Sequence, residues 1–304
     1  MKGNKHMKTI TSITYPVFAL FAFACFAAAA GVLGTESIDE GVNLPVQSDM
    51  VNVSPELAGV ETQTVLGLYN PSTHETRLWY MNNNVHVGTV AGPRLPPRWS
   101  PVAAADFNGD GHIDVLFFNT ISRQTWIGYL FGATQGDYGP TLPSGYEVIT
   151  TADFNHDGHP DLLLNSSTYR TTIWYMNNNI RIGTALGPFV YPLIPLLAVG
   201  DFNGDGYPDY LLAHPSLGQI WILDTHNNVS TGLNTSRVAA GHWRGFFYAG
   251  ATDFSRNGKA DLLLYNSSTR QTAIWYMNNN VAVGSASGPG IPRGWDLFAP
   301  SIHR

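Results

Sequence analysis

The sequence predicts an all-β protein, a β-propeller of five four-stranded blades in which the C-terminal strand closes the first blade. Three observations predict it. A loop rich in side-chain oxygens recurs four times, a Trp-bearing apolar segment recurs five times, and both follow a period of about 48 residues. Self-similarity at that period, with four short strands per unit, is the pattern of a propeller.

The chain opens on Lys2, Lys5 and Lys8, then runs almost wholly apolar from Val17 to Ala30, and Ala28-Ala29-Ala30-Gly31 offers small residues for cleavage. Residues 1–30 are therefore expected to be a secretory signal peptide. The alternative is an uncleaved anchor, since the apolar stretch extends back to Ile10. The single cysteine, Cys25, falls inside this segment, so an exported chain would have no disulfide. Residues 31–60 show no period and are expected to be a flexible leader, with the propeller spanning 61–304.

The first unit supplies strands two to four but no strand one. In the third unit, strands are expected at Glu147–Ala152, Asp161–Asn165, Thr171–Met176 and Ile180–Thr184, with Asn177-Asn178-Asn179 as a hairpin tip. Gly-Pro pairs close four units, at Gly92-Pro93, Gly139-Pro140, Gly187-Pro188 and Gly288-Pro289. The C-terminal Trp295–Ile302 reads as a spare strand one, aligned with Trp99–Asp106 and expected to pair with Val65–Asn70. Closure of the ring leaves no long exposed sheet edge at its seam. An open fragment, or a dimer that completes the ring, is the alternative.

Composition agrees. Charged residues are 12% of the chain, about half the usual share, and Gly and Pro number 31 and 19, which suits many short strands and turns. Net charge is −6. Without the three N-terminal lysines the chain has 13 basic against 22 acidic residues, which gives no overall basic face for nucleic acid.

The loops carry the chemistry. They are Asp106-Phe-Asn108-Gly-Asp110-Gly111-His112-Ile-Asp114, Asp153-Phe-Asn155-His-Asp157-Gly158-His159-Pro-Asp161, Asp201-Phe-Asn203-Gly-Asp205-Gly206-Tyr207-Pro-Asp209 and Asp253-Phe-Ser255-Arg-Asn257-Gly258-Lys259-Ala-Asp261. Hard oxygen donors on alternate residues, with Gly at position 6 where the backbone must turn, form a calcium (Ca2+) loop pattern. The expected ligands are the side chains at positions 1, 3, 5 and 9 and the position-7 carbonyls of His112, His159, Tyr207 and Lys259. The fourth loop replaces Asn and Asp by Ser255 and Asn257, so three strong sites and one weaker site are expected. Position 12 is Phe117, Leu164, Leu212 or Leu264, where an EF-hand needs Glu.

With these motifs in place, the sequence resembles the FG-GAP/VCBS repeat family, the calcium-loop propellers of integrin α-subunit heads, some fungal lectins and many exported bacterial proteins. The resemblance covers about residues 61–304. It implies a propeller with calcium in its loops, and it leaves function open among adhesins, lectins and domains attached to enzymes.

The other candidates are weaker. Trp79, Trp126, Trp174, Trp221 and Trp275 are expected in the core, whereas Trp99, Trp243 and Trp295 lie nearer loops, where sugar stacking is more plausible. The Asn tips are expected to be ordinary turns, and Arg77, Arg170, Arg181 and Arg270 to be solvated. Asn52, Asn165, Asn228, Asn234 and Asn266 stand in glycosylation contexts. There is no His-Glu-x-x-His motif or phosphate loop, and Gly284-Ser-Ala-Ser-Gly288 has Ala where a nucleophile elbow needs Ser. The expectation is a non-enzymatic, monomeric binding module, secreted, cell-surface or periplasmic, and not held to a membrane once the signal is cleaved. Its partner would be an extracellular protein or matrix, with a glycan as the alternative and an enzyme using the central opening as the least favoured.

Overall fold

The computed structural model describes residues 64–302, less 131–135, 167–169, 191–193, 195, 215–218, 240–245 and 280. The expected signal peptide, the leader and Trp243 lie outside the described residues. The described chain is a propeller of five four-stranded antiparallel sheets. Blade 1 contains β1 (Thr64–Asn70), β2 (Glu75–Asn82) and β3 (Val85–Ala91). Blade 2 is β4 (Trp99–Ala105), β5 (Asp114–Asn119), β6 (Gln124–Gly128) and β7 (Gly136–Thr141). Blade 3 is β8 (Tyr146–Ala152), β9 (Asp161–Ser166), β10 (Arg170–Asn177) and β11 (Ile180–Phe189). Blade 4 is β12 (Leu196–Gly200), β13 (Asp209–His214), β14 (Gln219–His226) and β15 (Val229–Ala239). Blade 5 is β16 (Phe246–Thr252), β17 (Asp261–Asn266), β18 (Gln271–Asn278) and β19 (Val281–Gly290). The last strand, β20 (Asp296–Ile302), pairs antiparallel with β1, with Thr64 opposite Ile302 and Tyr69 opposite Asp296. Ring closure by the C-terminus is therefore as the sequence predicts.

The innermost strands β4, β8, β12, β16 and β20 stand side by side around the axis. Packing is concentrated between blades, because each blade presents apolar residues on both faces. One cluster joins Val65, Leu78 and Tyr80 of blade 1 to Val115, Phe117 and Trp126 of blade 2. Another joins Leu116 and Ile127 of blade 2 to Leu162, Leu164 and Trp174 of blade 3.

The pairing of the repeated Trp is not uniform around the ring, and one expectation from the sequence is corrected. Trp174 and Trp275 pair with Leu162 and Leu262, the residues directly after the loop's last Asp. Trp126 and Trp221 instead pair with Phe117 and Leu212, two residues further along. These two Trp are thus displaced by two positions, which keeps them on the same strand face because side chains alternate with period two. The correction concerns Trp99 and Trp295, which are only 5% and 6% exposed and belong to the core, out of reach of a stacking sugar. Nor are the expected solvated arginines all free in water. Arg77 lies over the Trp295 ring at 4.1 Å and Arg181 over Trp174 at 4.5 Å.

Candidate metal centre and the loop end of the ring

Strand direction puts all four acidic loops at one end of the ring. In blades 2 to 5 strand one runs into the loop, strand two runs away from it, and strand three returns to a hairpin tip; blade 1 keeps the same strand directions. Loops and tips therefore share the loop end, and the strand two–three turns and the blade-to-blade linkers share the opposite, turn end.

Each loop is wound around its first Asp. In the first loop, Asp106 accepts the amides of Gly109, Asp110 and Gly111 at 2.8, 3.2 and 2.9 Å. Asn108 accepts from Asp110 at 2.9 Å, and Asp110 accepts from His112 at 2.8 Å. The third loop repeats this through Asp201, Asn203 and Asp205. The second does so through Asp153, Asn155 and Asp157. In the fourth, Asp253 accepts from Asn257 and Gly258, and Asn257 accepts from Lys259. Gly111, Gly158, Gly206 and Gly258 all have φ between 82 and 90°, a left-handed conformation that disfavours side chains, which is why position 6 is Gly.

The last Asp of each loop is fully buried at the start of strand two. One oxygen accepts the position-2 or position-3 amide, as Asp161 does from Phe154 at 2.9 Å. The other accepts an amide at the end of strand three: Asp161 from Met176, Asp209 from Thr225 and Asp261 from Met277, at 2.8, 2.9 and 2.8 Å. Blade 2 departs from this. There β6 ends at Gly128, and Asp114 Oδ1 is buried without a hydrogen-bond partner.

Burial is the main cause of raised pKa values here. It pushes Asp114 up to about 8 and Asp161 and Asp209 to about 7, with neighbouring loop aspartates adding to the shift. Asp201 and Asp261 are raised for the same first reason. No ion pair joins a basic side chain to a loop carboxylate among the described residues, and Lys259 donates instead to Asn278 at 2.9 Å. As they stand, no three His, Cys, Asp or Glu side chains among the described residues are gathered tightly enough to hold a metal.

The donor set nevertheless fits a hard divalent cation. It offers carboxylate and amide oxygens that already turn inward on their own backbone, an excess of uncompensated negative charge, and in the first loop an orphaned buried carboxylate oxygen. Asp106, Asn108, Asp110, Asp114 and the His112 carbonyl would hold an ion there. The equivalent groups are Asp153, Asn155, Asp157, Asp161 and His159; Asp201, Asn203, Asp205, Asp209 and Tyr207; and Asp253, Ser255, Asn257, Asp261 and Lys259. Such a cation supplies counter-charge and a cross-link between strand one and strand two.

Two features of the loops escaped the sequence reading. Position 2 is Phe107, Phe154, Phe202 or Phe254, each at most 1% exposed. These rings do not pack within their own blade alone: Phe254 sits with Leu66, Leu68 and Trp79 of blade 1, and Phe202 with Leu262 and Trp275 of blade 5. Each loop therefore plugs into the next blade. The signal was legible, as Phe at position 2 in all four copies. The second feature is the hairpin tips, where Asn83, Asn178, Asn228 and Asn279 adopt positive φ, as turn residues do. They also bond across blades. Tyr129 donates to Asn178 at 2.6 Å, Asn228 donates to Tyr175 at 2.6 Å, and Tyr276 donates to Asn83.

Comparison with known proteins agrees with this geometry. The family model of the FG-GAP-like repeat matches residues 153–212, from the first Asp of the second loop to Leu212 after the third. The chain carries an FG-GAP-like repeat. The same loop pattern stands in four blades of the five-bladed ring, and the match spans two of them. No curated protein matches the sequence. Among solved structures, a chain of a nidogen/laminin complex is 11% identical with a TM-score of 0.45, covering 80% of this chain and 98% of its own. A chain from the complex of BBS1N with ARL6DN is 12% identical with a TM-score of 0.33, covering 64% and 54%. A candidate 6-phosphogluconolactonase from Bacteroides uniformis is 14% identical with a TM-score of 0.37, covering 74% and 68%. At these scores none of the three bears on partner or activity.

Proposed function

We propose that this FG-GAP-like propeller is an exported, calcium-stabilised binding module that engages an extracellular protein or matrix partner. The observation that carries the reading is the placement of four oxygen-donor loops at one end of a closed ring. A rigid scaffold presenting polar loops at one end is the usual layout of a recognition surface. The exposed carboxylates of Asp110, Asp157 and Asp205 stand at that end beside the Asn tips. Export supplies the calcium that such loops need, at affinities of about 10⁻⁴ to 10⁻³ M expected for extracellular modules.

Calorimetric titration of the chelated protein with calcium tests the first part, with three or four sites expected and heatless titration refuting it. A panel of matrix proteins and a glycan array, each probed with and without calcium, tests the second. Calcium-dependent protein binding supports the reading. Specific sugar binding with no protein binding would replace it by the lectin alternative.

A further inference from the structure

The described charges are sorted between the two ends of the ring. The eleven loop aspartates stand at the loop end with Asp137 and Asp224, against Arg181, Arg256 and Lys259. The turn end carries Arg94, Arg98, Arg123, Arg170, Arg270 and Arg293, and with them only Glu147 and Asp296 besides the Arg77–Glu75 pair at 3.9 Å. Inner strands such as β8 have seven residues, or about 23 Å at the usual rise. That is more than twice the Debye length of about 8 Å at physiological salt, so the ends act as separate surfaces.

None of the six arginines is ion-paired among the described residues. Where their guanidinium groups are bound, they meet carbonyls: Arg94 that of Thr73 at 2.8 Å, Arg123 that of Leu142 at 3.2 Å, and Arg270 those of Ile291 and Pro292 at 2.9 and 2.8 Å. Arg123 also lies over the Phe118 ring at 5.3 Å and has Glu147 as an electrostatic neighbour, and Arg270 lies over Tyr265 at 6.0 Å, but none of the six has a carboxylate within ion-pair distance among the described residues. Arg98 is held at some cost. The turns Pro96–Trp99, Pro143–Tyr146 and Pro292–Trp295 each close with the last amide donating to the first carbonyl. Their third residue has φ of 74, 82 or 81°, and it is Gly145 and Gly294 in the last two but Arg98 in the first. An arginine where this turn favours glycine is strained by about 1 kcal/mol.

We propose that the turn end is a docking surface for an acidic polysaccharide, a sugar chain bearing carboxylates or sulfates. The basic groups here are all arginine, whose planar fork matches such oxyanions in bidentate fashion. The exposed Ser72, Ser122, Ser267 and Ser268 of the strand two–three turns offer hydroxyls to the sugar. The inference does not rest on the calcium reading, because these residues lie at the opposite end from the loops.

Binding of the full chain to heparin, hyaluronan, uncharged dextran and duplex DNA tests it at low and high salt. Retention on heparin and hyaluronan, absent on dextran and lost with salt, is expected. The quadruple variant R94Q/R98G/R170Q/R293Q should bind about 30-fold more weakly, the effect of four exposed charge contacts. Its calcium response should be unchanged, since all four residues lie at the end opposite the loops, and the variant should remain folded, because the three Gln positions are exposed and Gly suits position 98. Absence of wild-type binding, equal binding by the variant, or DNA binding as tight as that of the sugar chains would each overturn the proposal.

Discussion

The ring of Phe154, inside the second acidic loop, packs against Tyr210 of the next blade with centroids 6.2 Å apart and planes inclined at 44°. The loop thus does two jobs with adjacent residues: Asp153 winds the backbone, and Phe154 pins it to its neighbour. Phe154→Ala should destabilise the propeller by about 3–5 kcal/mol, the cost of an aromatic cavity. Phe154→Leu should recover part of it. Denaturant unfolding of both variants measures this, and equal stability of Phe154→Ala and wild type would refute the blade-to-blade role.

A second repeated device explains the Gly-Pro pairs. Thr76, Thr125, Thr171 and Thr272 donate their hydroxyls to the carbonyls of Pro93, Pro140, Pro188 and Pro289 at 2.8, 2.7, 2.5 and 2.6 Å. The preceding Gly is required because a Cβ on Gly187 would overlap the Thr171 hydroxyl. Thr171→Val should therefore cost about 1–3 kcal/mol by stranding a carbonyl. Gly187→Ala should be at least as damaging. Thermal melts of the two variants check this, and a neutral Gly187→Ala would show that the close approach is relieved elsewhere.

Calcium removal should lower the melting temperature. At about 1 mM calcium and a Kd of about 0.1 mM, one site stabilises the ring by about 1.4 kcal/mol, and four such independent sites by roughly 6 kcal/mol. That is comparable with the whole stability of an ordinary domain. Asp106→Ala, which removes the residue that winds the first loop, should eliminate one site from a calcium titration. A chelated protein that melts as the calcium-loaded one does would remove calcium from the account.

The buried aspartates give the chelated protein a pH dependence of definite sign. Asp114, Asp161 and Asp209 have folded values raised to about 8, 7 and 7. A raised folded value favours the protonated folded form, so the stability is full below the ordinary carboxylate range and is lost as pH rises through the folded values. In chelator, unfolding free energy should fall between about pH 4 and 8. With calcium the fall should shrink, because the ion binds the ionised carboxylates. A chelated protein that gains stability across that window would contradict this.

Removing 296–304 should open blade 1, exposing β1, whose first five residues are buried. The expected product is an oligomer or an aggregate larger than the species the full chain forms, since an apolar unpaired edge recruits other strands. Sizing by light scattering distinguishes them, and a soluble monomeric truncation would show that closure is dispensable.

The sequence by itself determined the blade count, the four loops and the closing strand, because each rests on local signals repeated at a fixed spacing. Alternation marks strands, Asn marks tips, and Asp-x-Asn-x-Asp-Gly marks a loop wherever it occurs. The two-residue displacement of Trp126 and Trp221 was not legible, since period-two packing tolerates such a shift on one face. The burial of Trp99 and Trp295, the seating of each loop Phe in the following blade and the Tyr129–Asn178 bond all join residues of different blades, whose facing surfaces exist only when the ring is assembled. The sorting of charge follows the same logic: the arginines are scattered along the chain, and only the common direction of the strands brings them to the end opposite the loops.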